Sequence, residues 1–321
     1  MLKNISLSIF SVIFILLIIE ILFRVFFSFN MSYNMEMHKY ALSLKERSSI
    51  SGLSHEHKPN SSKELMGVNI SINDLGMRDD YLLDDSLKYK EKVLVLGSSI
   101  TMGWGVNNEN VFTSLLQNEL NKDKNEYNII NSGIGNYNTK FESILFKKNF
   151  NLINPDSVIL HYYLNDAEII SNKSSNFIIK YSYFAAFSYL ILQQVLYNSK
   201  KYDSLGEYYL NMYDEENPGW IDAQNSILAI KKICDDNNIP LLVLVQPDLH
   251  NLSINSDQKK CHNIISDFLN SEKIKFIDLF ENYRATHENS PQELWVNDDD
   301  PHPNKFGHKI IYKSLLNYFN K

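Results

Sequence analysis

The chain has 321 residues, 44% of them hydrophobic, and carries 38 acidic against 31 basic side chains for a formal net charge of −7. That balance, with no basic stripe along the sequence, excludes a nucleic-acid partner. Cys234 and Cys261 form no disulfide framework, and their spacing leaves open whether they pair.

The first element is apolar. Leu, Ile, Phe and Val fill fifteen of the positions from Ile5 to Phe23. At their usual transfer energies they supply about −5 to −9 kcal/mol of insertion free energy. Glu20 costs about 2.5–3.5 kcal/mol at most, and Arg24 one turn later can pair with it or reach outward. The run is longer than a signal-peptide core and no small-x-small cleavage site follows. Residues 1–29 are therefore expected to be a single uncleaved membrane anchor. Residues 30–70 are polar, show no clear period, and are expected to be a linker and entry segment.

Strand-like runs then recur near 92–97, 127–131, 157–163, 240–246 and 274–278. Helical patterns fall near 110–122, 138–150, 221–236, 256–270 and 304–319. The last carries Phe306, Ile310, Ile311, Leu315 and Phe319 on one face, with Asn304 placed to cap it. Alternating strands and helices imply a parallel sheet covered on both faces, in one domain over 71–321. Residues 167–220 form an insertion rich in Tyr and Phe, expected to roof a cleft. Its apolar stretch 177–197 is broken by Lys180, Gln193 and Gln194. A span there would put two halves of the candidate site on opposite sides of a membrane, so a lid or substrate-binding helix is expected.

Three segments carry polar groups at strand ends or helix starts. Ser99 lies in Gly97-Ser98-Ser99-Ile100-Thr101 after Val93-Leu94-Val95-Leu96. Asn165 lies in Leu164-Asn165-Asp166 after Val158-Ile159-Leu160. His302 lies in Asp299-Asp300-Pro301-His302-Pro303-Asn304. In an open α/β sheet the carboxyl-end loops bind ligands, so these segments can converge. A nucleophilic serine needs a base, a group that orients the base, and oxyanion donors. Ser99 fits the nucleophile and His302 the base. Asp299, three residues before the histidine, fits the orienting carboxylate. Asn165 offers a side-chain amide, and the backbone N–H groups of Ser99 and of either Gly135 or Asn136 can complete the hole. Asp298 and Asp300 are expected to be solvated and without a role, and His308 to be a bystander.

Other motifs fail. No Lys follows the glycines of 97–105, so there is no phosphate-binding loop, and Gly103-Trp104-Gly105 lacks the third glycine of a dinucleotide fingerprint. Thr101 stands where a lipase elbow needs glycine. No cluster has metal-ligand spacing, so no cofactor or metal is expected.

On these blocks the chain resembles the SGNH/GDSL hydrolase family. Gly97 to Thr101 matches its Gly-Asp-Ser-x-Thr block with Ser98 in place of Asp. Asn131 to Thr139 matches a second block, with Asn136 at the usual oxyanion glycine. Tyr163 to Asp166 matches Gly-x-Asn-Asp with Tyr163 in place of Gly, and Asp299 to Asn304 matches Asp-x-x-His-Pro-Asn. Asn73 to Arg78 is similar to a stretch found in membrane-anchored members. The resemblance implies a three-layer α/β/α sandwich, flavodoxin-like, with five parallel strands in the order 2-1-3-4-5. It also implies a serine esterase or deacetylase outside the cytoplasm, acting on an acylated glycan or lipid of the cell envelope. Two alternatives stay open: an O-acyltransferase with the same triad, and a catalytically silent glycan-binding or assembly protein.

Overall fold

The computed structural model describes residues 2–78, 89–170, 177–198 and 204–320. The chain divides into two compact units. One comprises residues 1–43 and 173–201, the other 44–172 and 202–321. The insertion expected over 167–220 is thus split between them, and residues 171–176 and 199–203 of it lie outside the described residues.

The first unit is helical: α1 (Leu2–Phe29), α2 (Tyr33–Ser43), α6 (Phe177–Tyr181) and α7 (Tyr183–Asn198). Among the described residues, α1 is the one helix long and apolar enough to cross a membrane. Glu20 and Arg24 pair at 2.7 Å. The Glu20 carboxylate also accepts Ser182 Oγ at 2.7 Å and the backbone N–H groups of Tyr183 and Phe184, which caps the start of α7. Arg24 donates to the Tyr181 carbonyl, and Phe23 packs against Phe184 and Phe187. A carboxylate met by this many donors offsets much of what burying it costs.

The second unit is built on a five-stranded sheet. Its strands are β5 (Glu91–Gly97), β6 (Tyr127–Asn131), β7 (Ser157–Tyr163), β8 (Leu241–Gln246) and β9 (Lys275–Asp278). The order is β6-β5-β7-β8-β9, with every neighbouring pair parallel. Counted along the chain this is 2-1-3-4-5, as expected. Apolar runs with no polar alternation suit strands covered on both faces, and successive side chains divide between two cores. Leu94, Leu96, Leu160 and Val243 meet Ile227 and Ile230 of α9 (Pro218–Asp236) and Ile265 of α10 (Asp257–Ser271) on one face. Val93, Val95, Ile159 and Leu244 meet Phe112 and Leu116 of α4 (Phe112–Leu120) and Ile311 and Leu315 of α12 (Lys305–Phe319) on the other. Asn304 caps α12 through the N–H groups of Phe306 and Gly307. Cys234 and Cys261 are both free and buried.

Residues 30–70 differ from the expected linker. After α2, β1 (Lys45–Arg47) pairs with β2 (His55–His57), and β3 (Ser61–Leu65) pairs with β4 (Val68–Ile72). In β4, Val68, Ile70 and Ile72 are buried and Asn69 and Ser71 exposed. This period of two is too short to stand out in the sequence. Met66 (φ 51°) and Gly67 (φ 72°) turn the β3–β4 hairpin in the left-handed region that two-residue hairpin loops require.

Gly97 ends β5 where the chain enters α3 (Ser99–Met102). A Cβ there would lie 2.0 Å from Thr101 Oγ1 and 3.2 Å from His161 Cβ. Gly97→Ala is expected to lower unfolding stability by about 1–3 kcal/mol, the usual cost of an overpacked core. Urea titration of the full chain in detergent measures it, and a change indistinguishable from zero would show that the turn relaxes freely.

Candidate active site

Ser99 opens α3 at the carboxyl end of the central part of the sheet, and the turn carrying it is tied down on several sides. Asn131 Nδ2, from the end of β6, donates to the Thr101 carbonyl at 2.7 Å. Thr101 Oγ1 bonds His161 Nδ1 of β7 at 2.9 Å. The buried Arg78 guanidinium donates to the carbonyls of Met102, Gly103 and Val106. A Cβ on Gly133 would lie 2.2 Å from Met102 N, so the loop after β6 touches α3 backbone to backbone. Burial pushes His161 down to about 4 and His308, stacked on Phe112, down to about 3. Both are neutral core groups near pH 7.

Ser99 Oγ and His302 Nε2 lie 2.8 Å apart. His302 stands on β11 (Asp300–Pro303), the second arm of a hairpin with β10 (Trp295–Asn297). The carboxylate that meets His302 Nδ1 is Asp300, at 2.6 Å, in place of the expected Asp299. Strand geometry explains the correction. Asn297 pairs with Asp300, so Asp298 and Asp299 are the two residues of the hairpin turn and are exposed. Within β11, positions 300 and 302 share a face, whereas a three-residue spacing would suit a helix. Asp300 is fully buried, and its second oxygen accepts the Trp104 indole N–H at 2.7 Å. Burial alone would raise the Asp300 carboxyl. The hydrogen bonds from His302, the charge of that ring and the Trp104 N–H outweigh burial and hold it below the ordinary carboxylate range.

Two further turns flank Ser99. Ile134 to Tyr137 closes through the Tyr137 N–H to the Ile134 carbonyl, with Asn136 at φ 64°. Lys45 Nζ reaches Asn136 Oδ1 at 2.6 Å, and His55 Nε2 lies 3.0 Å from the Gly135 carbonyl. The β1–β2 hairpin therefore braces this turn, which no feature of 30–70 had signalled. Asn165 lies in a helical turn after β7, with its Oδ1 buried and without a hydrogen-bond partner. Because the strand order is β6-β5-β7, the turns bearing Asn136 and Asn165 stand on either side of the one bearing Ser99. Trp104 and Arg78 are site-building residues that sequence reasoning missed. Arg78 was visible inside a matched stretch, and Trp104 only as part of a failed glycine motif. Among the described residues no group of three His, Cys, Asp or Glu side chains could hold a metal ion.

No family model matches the chain, and no curated protein sequence matches it. Solved structures with a similar chain path include an acetyl xylan esterase, 19% identical over 71% of this chain and 98% of that one, TM-score 0.43. A psychrotrophic esterase from Pseudoalteromonas sp. is 13% identical over 72% of this chain and 100% of that one, TM-score 0.44. A two-domain esterase active on acetylated mannans is 13% identical over 74% of this chain, TM-score 0.43, and this chain spans 50% of its length. Likeness at this level concerns chain path alone. The sheet order shows an α/β fold on five parallel strands, and the order of the sequence blocks resembles the SGNH/GDSL pattern.

Beneath the Asn165 turn, two acids are buried together. Asp166 Oδ2 accepts Thr139 Oγ1 and the Tyr163 N–H, while Asp166 Oδ1 and both Glu142 carboxyl oxygens lack partners. Burial raises Asp166 from 3.8 to about 7, and burial with the neighbouring Asp166 raises Glu142 well above its ordinary value. The folded state thus holds protons that the unfolded chain releases near pH 4, so stability falls as pH rises from about 4 to about 7. Glu142→Gln should melt at nearly the wild-type temperature at pH 4 and above it at pH 8. Scanning fluorimetry across that range measures the difference, and an offset that does not change with pH would show that the acids are not protonated.

Proposed function

We propose that the protein is a serine esterase that removes an ester-linked acyl group, acetyl foremost, from a glycan or lipid of the cell envelope. The observation that carries this reading is the unbroken chain Ser99 Oγ, His302 Nε2, His302 Nδ1, Asp300 Oδ1, with links of 2.8 and 2.6 Å. This chain also weighs against a silent scaffold, because a buried carboxylate spent on orienting one imidazole toward one hydroxyl has a chemical use.

The proposed chemistry follows from the links. Ser99 Oγ attacks the ester carbonyl as its proton passes to His302 Nε2. Asp300 holds the ring and stabilises the imidazolium. The oxyanion is met by Asn165 and by backbone N–H groups of Ser99 and of Gly135 or Asn136. Collapse breaks the ester C–O bond, and the leaving alkoxide takes the proton from His302. Water then attacks the acyl-serine, again giving its proton to His302, and the carboxylic acid departs as Ser99 is restored. Acyl transfer to a sugar hydroxyl would use the same steps with another acceptor.

The apolar α1 supports anchoring in the cytoplasmic membrane, with the sheet-bearing unit on the outer side where envelope substrates are found. The partners in this reading are the membrane and the acylated substrate, with no cofactor.

Full-length protein in detergent, assayed on p-nitrophenyl acetate, tests the assignment. Ser99→Ala and His302→Ala should each fall to near background, and the double variant little further, because the pair acts as one unit. Asn165→Ala should lose about a hundred- to a thousandfold in kcat. Asp300→Asn should lose about a thousandfold or more through the wrong imidazole tautomer, while Asp299→Asn stays within about threefold. Equal loss at Asp299 and Asp300 would refute the pairing. Wild-type protein that neither turns over an ester nor is labelled at Ser99 by a serine-directed phosphonate would refute the esterase.

A further inference from the structure

The device that aims His302 occurs a second time. In Asp300-Pro301-His302, one Asp300 oxygen accepts both the backbone N–H of His302, at 3.1 Å, and its ring Nδ1, at 2.6 Å. In Asp248-Leu249-His250, on the loop after β8, one Asp248 oxygen accepts the backbone N–H of His250 at 2.8 Å and its Nδ1 at 2.7 Å. Asp248 is buried and heavily fixed. Its other oxygen accepts Tyr163 Oη at 2.6 Å and Tyr209 Oη at 3.2 Å. Gln258 clamps its main chain, accepting from Asp248 N and donating to its carbonyl. The His250 side chain is 42% exposed, and its outer face lies on a cleft of about 360 Å3. That volume is at the small end of ligand sites, which run about 300–1,000 Å3.

The cleft is walled by Tyr209, Asp248, His250, Asn251, Asn255 and Asp257, among others. Ser204 and Ser256 also line it, but their hydroxyls cap α8 (Leu205–Met212) and α10. No serine is therefore offered to His250 as Ser99 is to His302. Two carboxylates and no Lys or Arg among the lining residues disfavour an anion. Amides, carboxylates and an imidazole edge stand beside Leu205 and the Tyr209 ring, a mixed lining that suits a ligand with both polar edges and apolar faces. The same groups match a neutral ring bearing several hydroxyls, each able to donate and accept. One hydrogen bond links a wall of the cleft to a residue that borders the candidate active site. Tyr163, whose hydroxyl is bonded to Asp248, lines a small pocket together with His302, Ile100 and Pro301.

We infer that this cleft is a sugar-binding subsite, in which His250, oriented by Asp248, hydrogen-bonds a hydroxyl of a neutral sugar residue belonging to the same glycan as the acylated one. The identity of the ligand rests on the esterase reading above, whereas the presence of a site rests on the Asp248–His250 geometry. His250 is here a binding residue and takes no part in the bond-breaking steps.

The test uses the full chain in detergent. Ser99→Ala protein is titrated by calorimetry and ligand-observed NMR with unacetylated tetrasaccharides of β-1,4-linked xylose, mannose and N-acetylglucosamine, and with inorganic phosphate. At least one tetrasaccharide should bind, phosphate should not displace it, and adding His250→Ala or Asn255→Ala should weaken it by about tenfold. In the Ser99 background, His250→Ala should keep p-nitrophenyl acetate turnover within about twofold while raising KM for the acetylated form of the bound tetrasaccharide. No binding at millimolar sugar, binding indifferent to both cleft variants, or displacement by phosphate would overturn the inference. Wild-type protein inert on every ester but with His250-dependent sugar binding would overturn the esterase and leave the subsite standing.

Discussion

A carboxylate with no solvent contact is stable only if donors replace the water it has lost, and Asp300 obtains its donors from both halves of the site. The His302 ring and backbone N–H come from its own hairpin. The third, the Trp104 indole, comes from the segment that follows Ser99, 196 positions earlier in the chain. One buried carboxylate thus fixes the hairpin carrying His302 against the turn carrying Ser99. Ser99 Oγ and His302 Nε2 meet at 2.8 Å across that link. The indole also leaves the second carboxylate oxygen no freedom to rotate toward solvent, so the imidazole faces a single fixed acceptor.

The sheet contributes placement. Strand order sets the turns after β6, β5 and β7 side by side, and close backbone contact makes their spacing rigid. Gly133 meets Met102 without a Cβ between them, and Asn131 reaches across to the Thr101 carbonyl. Arg78 then ties Met102, Gly103 and Val106 to the segment that precedes the sheet. These donors satisfy buried carbonyls of the turn and so hold the backbone around Ser99 in one conformation. The β1–β2 hairpin extends the same principle to the Asn136 turn through Lys45 and His55.

What was legible in the sequence was whatever repeats at a fixed period or sits at a fixed offset. Five apolar runs gave the strands, and Asn304 gave the start of α12. Ser99 and His302, which meet at 2.8 Å, each lie in a contiguous sequence block. The three-residue offset of Asp299 from His302 suits an orienting carboxylate only where the segment is not a strand, and here it is one. Asp-Pro-His-Pro has too few residues to show a period of two, and its prolines argue for a loop. Only the pairing of Asn297 with Asp300 reveals the hairpin that buries Asp300 and turns Asp299 outward. Residues 30–70 were misread for a related reason. Of the two short hairpins, one buries only His57 from its strands and the other Leu65, Val68, Ile70 and Ile72, and such a signal is lost in a polar background.

Tyr163 shows how a departure from a family block acquires a meaning. A glycine at this position would leave open space at the end of β7. The tyrosine lines a small pocket that His302 also lines, and sends its hydroxyl to Asp248 at 2.6 Å. It therefore occupies volume at the edge of that pocket and helps satisfy a second buried carboxylate. Neither effect is available to glycine, and a phenylalanine could supply only the first, since it would leave Asp248 one donor short. The requirement for a hydroxyl at 163 comes from Asp248, which lies 85 positions further along the chain. Tyr209 Oη shares the same oxygen from α8, at the longer distance of 3.2 Å. The two tyrosines are thus unequal partners. The shorter bond belongs to the residue that shares a pocket with His302, so the tighter of the two tyrosine contacts to Asp248 is the one made from the end of β7.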